Sequence, residues 1–286
     1  MRYEAPDSVE GAVALLSAAT GETRVLAGGT DLLVQMRADV VDPDLIVDIK
    51  KIAETRAITE EKGGWRVGAA VTGAELKEHP RLKRGWPGVI EAANLIGSTQ
   101  IQGRATLGGN LCNGSPAADS VPALIAAGAL ATLAGPQGRR DLPVEDVMLG
   151  PRKLALRKGE IVVSFLLPPR PPRSSDAYLR FIPRTEMDIA VVGAGVSLTL
   201  DGAGTITAAR VGLGAVAARV LLVAEAAQAI IGSRLDLPAQ QRLEAAARAA
   251  CRPIDDKRGT IEFRTDVAAV LTRRAALIAL DRARTS

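Results

Sequence analysis

The stretch Leu26-Ala27-Gly28-Gly29-Thr30-Asp31-Leu32-Leu33 decides how this chain is read, and it has a shorter counterpart in Thr106-Leu107-Gly108-Gly109-Asn110. Each sets a glycine pair beside a small polar residue, and each is read as directly following β-type residues. Paired glycines let the backbone turn tightly and approach a ligand. Successive N–H groups aimed into one concavity then form a nest that a pyrophosphate satisfies. Thr30 and Asn110 can add side-chain hydrogen bonds. An ordinary tight turn is the plain alternative for either pair, but two in the same half of the chain point toward a shared ligand. No Gly-Lys-Ser/Thr follows either one, so a Walker loop and nucleoside triphosphate hydrolysis are not indicated.

Outward from the first motif, Val9, Ala12, Val13, Leu15 and Leu16 recur at helical spacing, with Ser8 as N-cap and Gly21 closing the end. Thr23 to Leu26 and Asp44 to Asp48 read as strands, so residues 1–56 form a small α+β unit. AITEEKGGWRVGAAV, from Ala57 to Val71, reads as two strands joined at Lys62-Gly63-Gly64. Helices are expected over Thr72 to His79, Gly85 to Ile96 and Asp119 to Ala127. The strand-like ALATLAG and Glu160 to Leu167 complete a second α+β unit over residues 57–175, closed by Pro168, Pro169, Pro171 and Pro172.

The remainder, 176–286, opens with a hairpin signature, DIAVVGAGVSLTL then TITAARVGLGAV, and continues in Ala-rich helical stretches at Leu221 to Ile231, Pro238 to Ala250 and Thr265 to Arg284. Within it Gly212-Leu213-Gly214-Ala215-Val216-Ala217 spells a dinucleotide fingerprint. Its strand is the second arm of an antiparallel hairpin, whereas that fingerprint requires the first strand of a parallel βαβ unit.

Composition narrows the chemistry. The 286 residues are 47% apolar and 24% charged, which excludes disorder, collagen and coiled coil. The 36 basic residues are interspersed with 32 acidic ones, and aromatics are few, so nucleic acid is not indicated. No apolar run approaches the roughly 20 residues of a membrane span, and the acidic, mixed start MRYEAPDSVE does not read as a signal peptide. A cytoplasmic protein is expected. Cys112, Cys251 and the single His79 cannot supply an iron–sulfur cluster or a structural zinc, and the same scarcity disfavours a Ser-His-Asp triad. His79, beside a proline, reads as a loop or helix-end residue.

VLAGGTDLL, TLGGNLCNGSPAADSVPAL, LGPRKLALRKGEIVVSFLLP, RTEMDIAVV and DDKRGTIEFR, in that order along essentially the whole chain, resemble the FAD-binding medium subunit of molybdenum hydroxylases. That family includes the carbon monoxide dehydrogenase flavoprotein subunit and the xanthine dehydrogenase FAD domain. The resemblance implies an α+β FAD-binding fold of the vanillyl-alcohol-oxidase (PCMH) type in two α+β subdomains. A C-terminal domain of a three-stranded antiparallel sheet and a helical bundle would follow them.

Carried over by residue, the resemblance sets Leu26, Ala27, Gly28, Gly29, Thr30, Asp31, Leu32 and Leu33, with Thr106, Leu107, Gly108, Gly109 and Asn110, around the FAD pyrophosphate. It makes Ile96 an apolar flavin contact and Asp119 a partner of the cofactor's polar chain or adenosine, or else the N-cap of the helix after it. Val162, or Ile161 beside it, would meet the ring system. Arg180 falls where relatives often carry a lysine near the flavin, the alternative being a solvated surface arginine. Arg152 and Lys153 are read as serving packing or subunit contacts. Asp255, Asp256, Arg258, Glu262 and Arg264 are read as an ion-pair and capping network. Cys112 lies near the expected flavin, but FAD is implied to be non-covalent.

The resemblance also implies partners: a large subunit holding molybdopterin and a small one holding two 2Fe-2S clusters, commonly as a dimer of heterotrimers. Electrons would pass from the clusters through FAD to an external acceptor, which asks for no acid, base or nucleophile from this chain. A stand-alone flavin oxidase or reductase of the same fold is the alternative, and a nucleotide-binding or assembly protein is a third.

Overall fold

The computed structural model describes all 286 residues, arranged around three main sheets. The first part contains β1 (Arg2–Glu4), α1 (Val9–Ala18), β2 (Thr23–Leu26), α2 (Leu32–Arg37) and β3 (Leu45–Asp48). Its sheet has the order β1-β3-β2, and β3 runs parallel to both neighbours, with Leu45 to Asp48 all buried. Burial on both faces is what a parallel strand between crossovers requires. The three-residue β1 is too short to have been seen as a pattern. Ser8 caps α1 by accepting from the Gly11 N–H at 3.2 Å. Gly21 does not end that helix, which stops at an extended Ala19. The apolar stretch after Gly29 is α2, and none of its residues is buried.

The second part runs through α3 (Ala53–Arg56), β4 (Ile58–Glu61), β5 (Gly64–Gly68), α4 (Gly73–Glu78), α5 (Pro80–Gly85), α6 (Pro87–Asn94), α7 (Thr99–Gln102), α8 (Leu107–Cys112) and α9 (Ser120–Ala126). It continues with β6 (Leu130–Gly135), β7 (Gly138–Pro143), α10 (Val144–Val147), β8 (Met148–Gly150), β9 (Lys153–Leu154) and β10 (Ile161–Leu167). The sheet order β4-β5-β10-β6-β7 is antiparallel throughout. Lys62 and Gly63 turn the first hairpin with φ of 50° and 80°, a turn type matched to strand twist. The helix expected over Gly85 to Ile96 is shorter, since Pro87 starts α6 and Pro80 starts the separate α5. His79 joins α4 to α5 as a cap, its Nδ1 accepting from the Leu82 N–H at 3.1 Å.

The third part has β11 (Ser174–Phe181), β12 (Val192–Leu200), β13 (Ile206–Gly214), β14 (Leu221–Leu222), α11 (Ala224–Gln228), α12 (Leu237–Ala250) and α13 (Ile261–Thr285). Its sheet is antiparallel with four strands in sequence order, one more than the three expected. The extra strand is Leu221–Leu222, read in the sequence as the start of a helix; the helix itself begins at Ala224. Gly212 and Gly214 lie in β13, antiparallel to β12, so the dinucleotide fingerprint is a hairpin arm.

One core of 42 buried residues spans the first two parts and takes in Tyr178 and Val220 of the third, and a second of 26 lies between the third sheet and its helices. Where they meet, Asp176 on β11 is 2% exposed. It accepts from Arg170 Nη1 at 3.1 Å and from the Val89 N–H of α6 at 3.1 Å, while the Arg170 guanidinium lies 4.8 Å from the Trp86 ring. Arg282 of α13 pairs with Glu91 of α6 and donates to the Asp176 carbonyl at 2.9 Å. Beyond it, Arg264 pairs with Asp256 at 2.7 Å, Asp256 also accepts from the Arg258 N–H, and Asp255 accepts from the Ile261 N–H. Glu262 makes no such contact, and Thr260 caps α13 instead. No helix is long and apolar enough to cross a membrane.

Candidate cofactor site

A cleft of about 280 Å³ opens between the first two parts. Its walls include Ala27, Gly28, Gly29, Thr30, Asp31 and Leu32 from the β2–α2 loop, Ile96 after α6, and Thr106, Gly109 and Asn110 from α8. Ten of the residues that the resemblance assigns to the cofactor therefore line one cavity, drawn from motifs almost eighty positions apart.

The loop that joins β2 to α2 is built to present donors. Its carbonyls are occupied: Leu26 accepts from the Ile49 N–H, Ala27 from Lys50 Nζ, Gly28 from Arg104 Nε and Gly29 from the Leu33 N–H. None of the N–H groups of Ala27, Gly28, Gly29, Thr30 and Asp31 has an acceptor within the chain. Five consecutive unpaired donors at a concave wall form a nest for an anion, and leaving them unpaired away from water is costly. Gly28 is required because a Cβ there would lie 2.1 Å from the Arg104 carbonyl oxygen, and Gly29 because its φ is +81°.

The second motif works differently from the turn expected. Thr106-Leu107-Gly108-Gly109-Asn110 does not follow a strand; it begins α8, with Thr106 as N-cap accepting from the Gly109 N–H at 3.0 Å. Gly108 donates to the Ala69 carbonyl at 3.1 Å, and a Cβ on it would collide with that residue, so this glycine seats the helix on the second sheet. A Cβ on Gly109 would meet only Thr106 Oγ1 within 4 Å, so its bare face belongs to the cleft. Asn110 has its Oδ1 engaged by the Ser120 N–H at 3.0 Å and Ser120 Oγ at 2.7 Å, which leaves its amide N–H groups as the free end. A pyrophosphate-bearing cofactor fits this donor set.

Eight predicted residues do not line the cleft. Leu26 is buried beneath it, while Leu33 is on the exposed side of α2. Leu107 is core, and Gly108 is packing. Ile161 and Val162 start β10, opposite Ala134 and Leu133, and both are buried in the core. Asp119 and Arg180 pair with each other at 2.8 Å, with side chains 11% and 6% exposed, and Tyr178 Oη donates to Asp119 at 3.2 Å. Asp119 forms no cap for α9, and Arg180 is not a solvated surface residue. Burial lifts the Asp119 pKa to about 6, outweighing the opposing pull of Arg180 and Tyr178.

Sequence reasoning missed Arg24, Gln35 and Asn113 and read Arg152 as a packing or subunit contact; all four line the cleft. Gln35 Nε2 donates to Asn113 Oδ1 at 2.9 Å, tying α2 to the end of α8. Asp31 is the one carboxylate in the lining, and desolvation raises its pKa. The lining has no histidine, and no three His, Cys, Asp or Glu side chains gather to hold a metal ion.

Residues 1–170 match the family described as the FAD binding domain in molybdopterin dehydrogenase, and residues 177–279 match the CO dehydrogenase flavoprotein C-terminal domain. The chain belongs to the FAD-binding subunits of the molybdopterin dehydrogenases. It is 34% identical over 273 residues to the carbon monoxide dehydrogenase medium chain of Afipia carboxidovorans, covering 96% of this chain and 94% of that one. The xanthine dehydrogenase FAD-binding subunit of Escherichia coli O157:H7 is 32% identical over 255 residues, covering 88% and 87%. A crystal structure of the Cu,Mo-CO dehydrogenase superposes with a TM-score of 0.94 at 35% identity over 99% of this chain and 98% of that chain. Quinoline 2-oxidoreductase from Pseudomonas putida 86 does so with a TM-score of 0.90 at 27% identity, again over 99% and 98%. The FAD subunit thus has the α+β FAD-binding fold of its family, extended by the flavoprotein C-terminal domain. Its relatives are subunits of oxidoreductases.

Proposed function

We propose that this FAD subunit is the electron-transfer component of a cytoplasmic three-subunit molybdenum hydroxylase, assembled as a dimer of heterotrimers. In that reading a large molybdopterin subunit oxidises the substrate and a small subunit with two 2Fe-2S clusters delivers the electrons to this chain. Its own subdomains divide at residues 56 and 175. When bound, non-covalent FAD supplies the redox chemistry, accepting electrons from the clusters and passing them to an external acceptor.

The observation that carries the reading is the row of unpaired donors from Ala27 to Asp31, on residues that line the same cleft as Gly109 and Asn110. The residues bind and orient a diphosphate, and they offer no histidine for proton transfer to a substrate. A stand-alone oxidase would need a general base in a substrate pocket beside its ring, and the one carboxylate of the lining, Asp31, sits in the loop of unpaired donors instead. Ile96 gives the cleft an apolar wall for a ring system.

The test is isolation of the native complex through this chain, with heat-released cofactor, bound metals and companion polypeptides identified. FAD, iron and molybdenum with two companions are expected. A lone chain whose FAD is reduced directly by a small substrate would replace this reading with the oxidase one, and flavin-free native material would overturn both.

A further inference from the structure

Two arginines line the cleft, and they are not equivalent. Arg24 is committed to Glu22 at 2.7 Å and to the Thr23 carbonyl. The Arg152 side chain is exposed and forms no ion pair and no hydrogen bond within the chain. Its backbone, in contrast, is tightly held. Arg152 occupies the turn between β8 and β9 with φ of 59°, a conformation that glycine or asparagine adopts more easily than arginine. Its N–H donates to the Gly114 carbonyl at 2.9 Å, and Gly114 itself has φ of +64° with no room for a Cβ, which would lie 2.9 Å from Arg152 Cα. The chain therefore fixes a long cation at a position where a smaller residue would strain the turn less. Arg152 lines the cavity that holds the unpaired donors, and its exposed side chain is free to reach a ligand there.

Resting on the FAD reading above, we propose that Arg152 is a positioning residue that clamps the cofactor's diphosphate from the β8–β9 turn. The backbone nest of Ala27 to Asp31 supplies neutral donors, while Arg152 supplies the charge. A guanidinium fork matches phosphate oxygens two at a time, which an ammonium cannot do. The same residue offsets the repulsion between the diphosphate and the Asp31 carboxylate in the lining. The packing or subunit role suggested by the sequence is thereby replaced with a ligand role.

The full chain, stripped of flavin, is titrated with FAD by fluorescence at low and high salt, alongside R152G and R152K. Glycine relieves the left-handed turn, so R152G should keep the wild-type unfolding midpoint. It should bind FAD about tenfold more weakly, with a smaller salt dependence. R152K should regain the salt dependence and only part of the affinity. An R152G chain that binds FAD within twofold of wild type overturns the clamp. So does one that loses affinity with an unchanged salt dependence, which would assign Arg152 to packing. If R152G does not fold, an R152K chain with wild-type affinity and salt dependence overturns the forked contact. Wild-type chain that takes up no FAD at all rejects the cofactor reading itself, a different failure from either variant result.

Discussion

The cofactor cleft and the junction between the second and third parts are both rich in polar groups, and they use them in opposite ways. At the junction most groups have a partner inside the protein: Asp176 takes Arg170 and an α6 N–H, and Glu91 takes Arg282 and the Tyr178 N–H, while Arg170 Nη2 and Arg173 Nε are buried without one. In the β2–α2 loop of the cleft the carbonyls from Leu26 to Gly29 are satisfied and the N–H groups from Ala27 to Asp31 are not. Buried polar groups paired with one another fix a geometry, whereas polar groups held rigid but unpaired describe the ligand that will pair them. The distinction separates a structural polar cluster from a binding one without reference to any homologue.

The largest expected effect tests the junction. Asp176→Ala leaves Arg170 buried without its counter-ion, which should cost about 3–5 kcal/mol of stability. Urea unfolding of the purified chain measures it. If the two regions are as separate as their bonding suggests, the folded variant should still bind FAD within about twofold of wild type. A folded D176A chain that has lost FAD would show that the junction shapes the cleft.

Next comes Gly28→Ala. Its Cβ would lie 2.1 Å from the Arg104 carbonyl oxygen, so the β2–α2 loop must shift, at about 1–3 kcal/mol for overpacking. Because that loop carries the unpaired donors, FAD binding should be lost well before the fold is. Equilibrium titration with FAD, read beside a thermal unfolding midpoint, separates the two.

These two sites also differ in how visible they are in the sequence. The first glycine motif was legible because tight turns and bare backbone demand glycine, and the order of motifs along the chain carried the family resemblance. The geometry of the second motif was not. Glycine is a poor helix former, so Leu107 to Cys112 reads as loop, and only the contact of Gly108 with Ala69 explains why a helix there contains two glycines. Arg152 was hidden for a related reason, since its placement depends on Gly114, thirty-eight positions earlier. The junction was invisible because Arg170, Asp176, Glu91 and Arg282 are ordinary charged residues until the fold brings them together. Strands of two or three residues, such as Arg2–Glu4 and Leu221–Leu222, carry too little pattern to be read at all.

A smaller effect contrasts the regions through pH. Asp119, beside the junction, is raised to about 6 by burial. Its folded pKa is thus above that of the unfolded chain, near 4, so the native state holds the proton more tightly. That contribution to stability is complete below about pH 4 and is lost as pH rises through about 6. Between pH 5 and pH 7 the wild type should lose about 1 kcal/mol more than Asp119→Asn, which has no such proton. Matched denaturant curves at the two pH values measure it, and parallel losses in the two proteins would show that Asp119 is not the group responsible.

Gly109→Ala should have the smallest effect, and it bears most directly on the contrast between paired and unpaired groups. A Cβ at this position meets nothing but Thr106 Oγ1, at 3.0 Å, and otherwise points into the cleft. Alanine favours a helix over glycine by up to about 1 kcal/mol, so stability should hold or rise slightly. The added methyl takes space that a bound diphosphate would approach. A loss of about 1 kcal/mol in contact corresponds to about fivefold in Kd for FAD. Gly108, one residue earlier, gives the internal control: its substitution collides with Ala69 and should lower stability, with any loss of FAD following from that. If the two alanine variants behave alike, the glycines of α8 serve packing alone. The cleft would then be defined by the β2–α2 loop and Asn110, without a bare helix face.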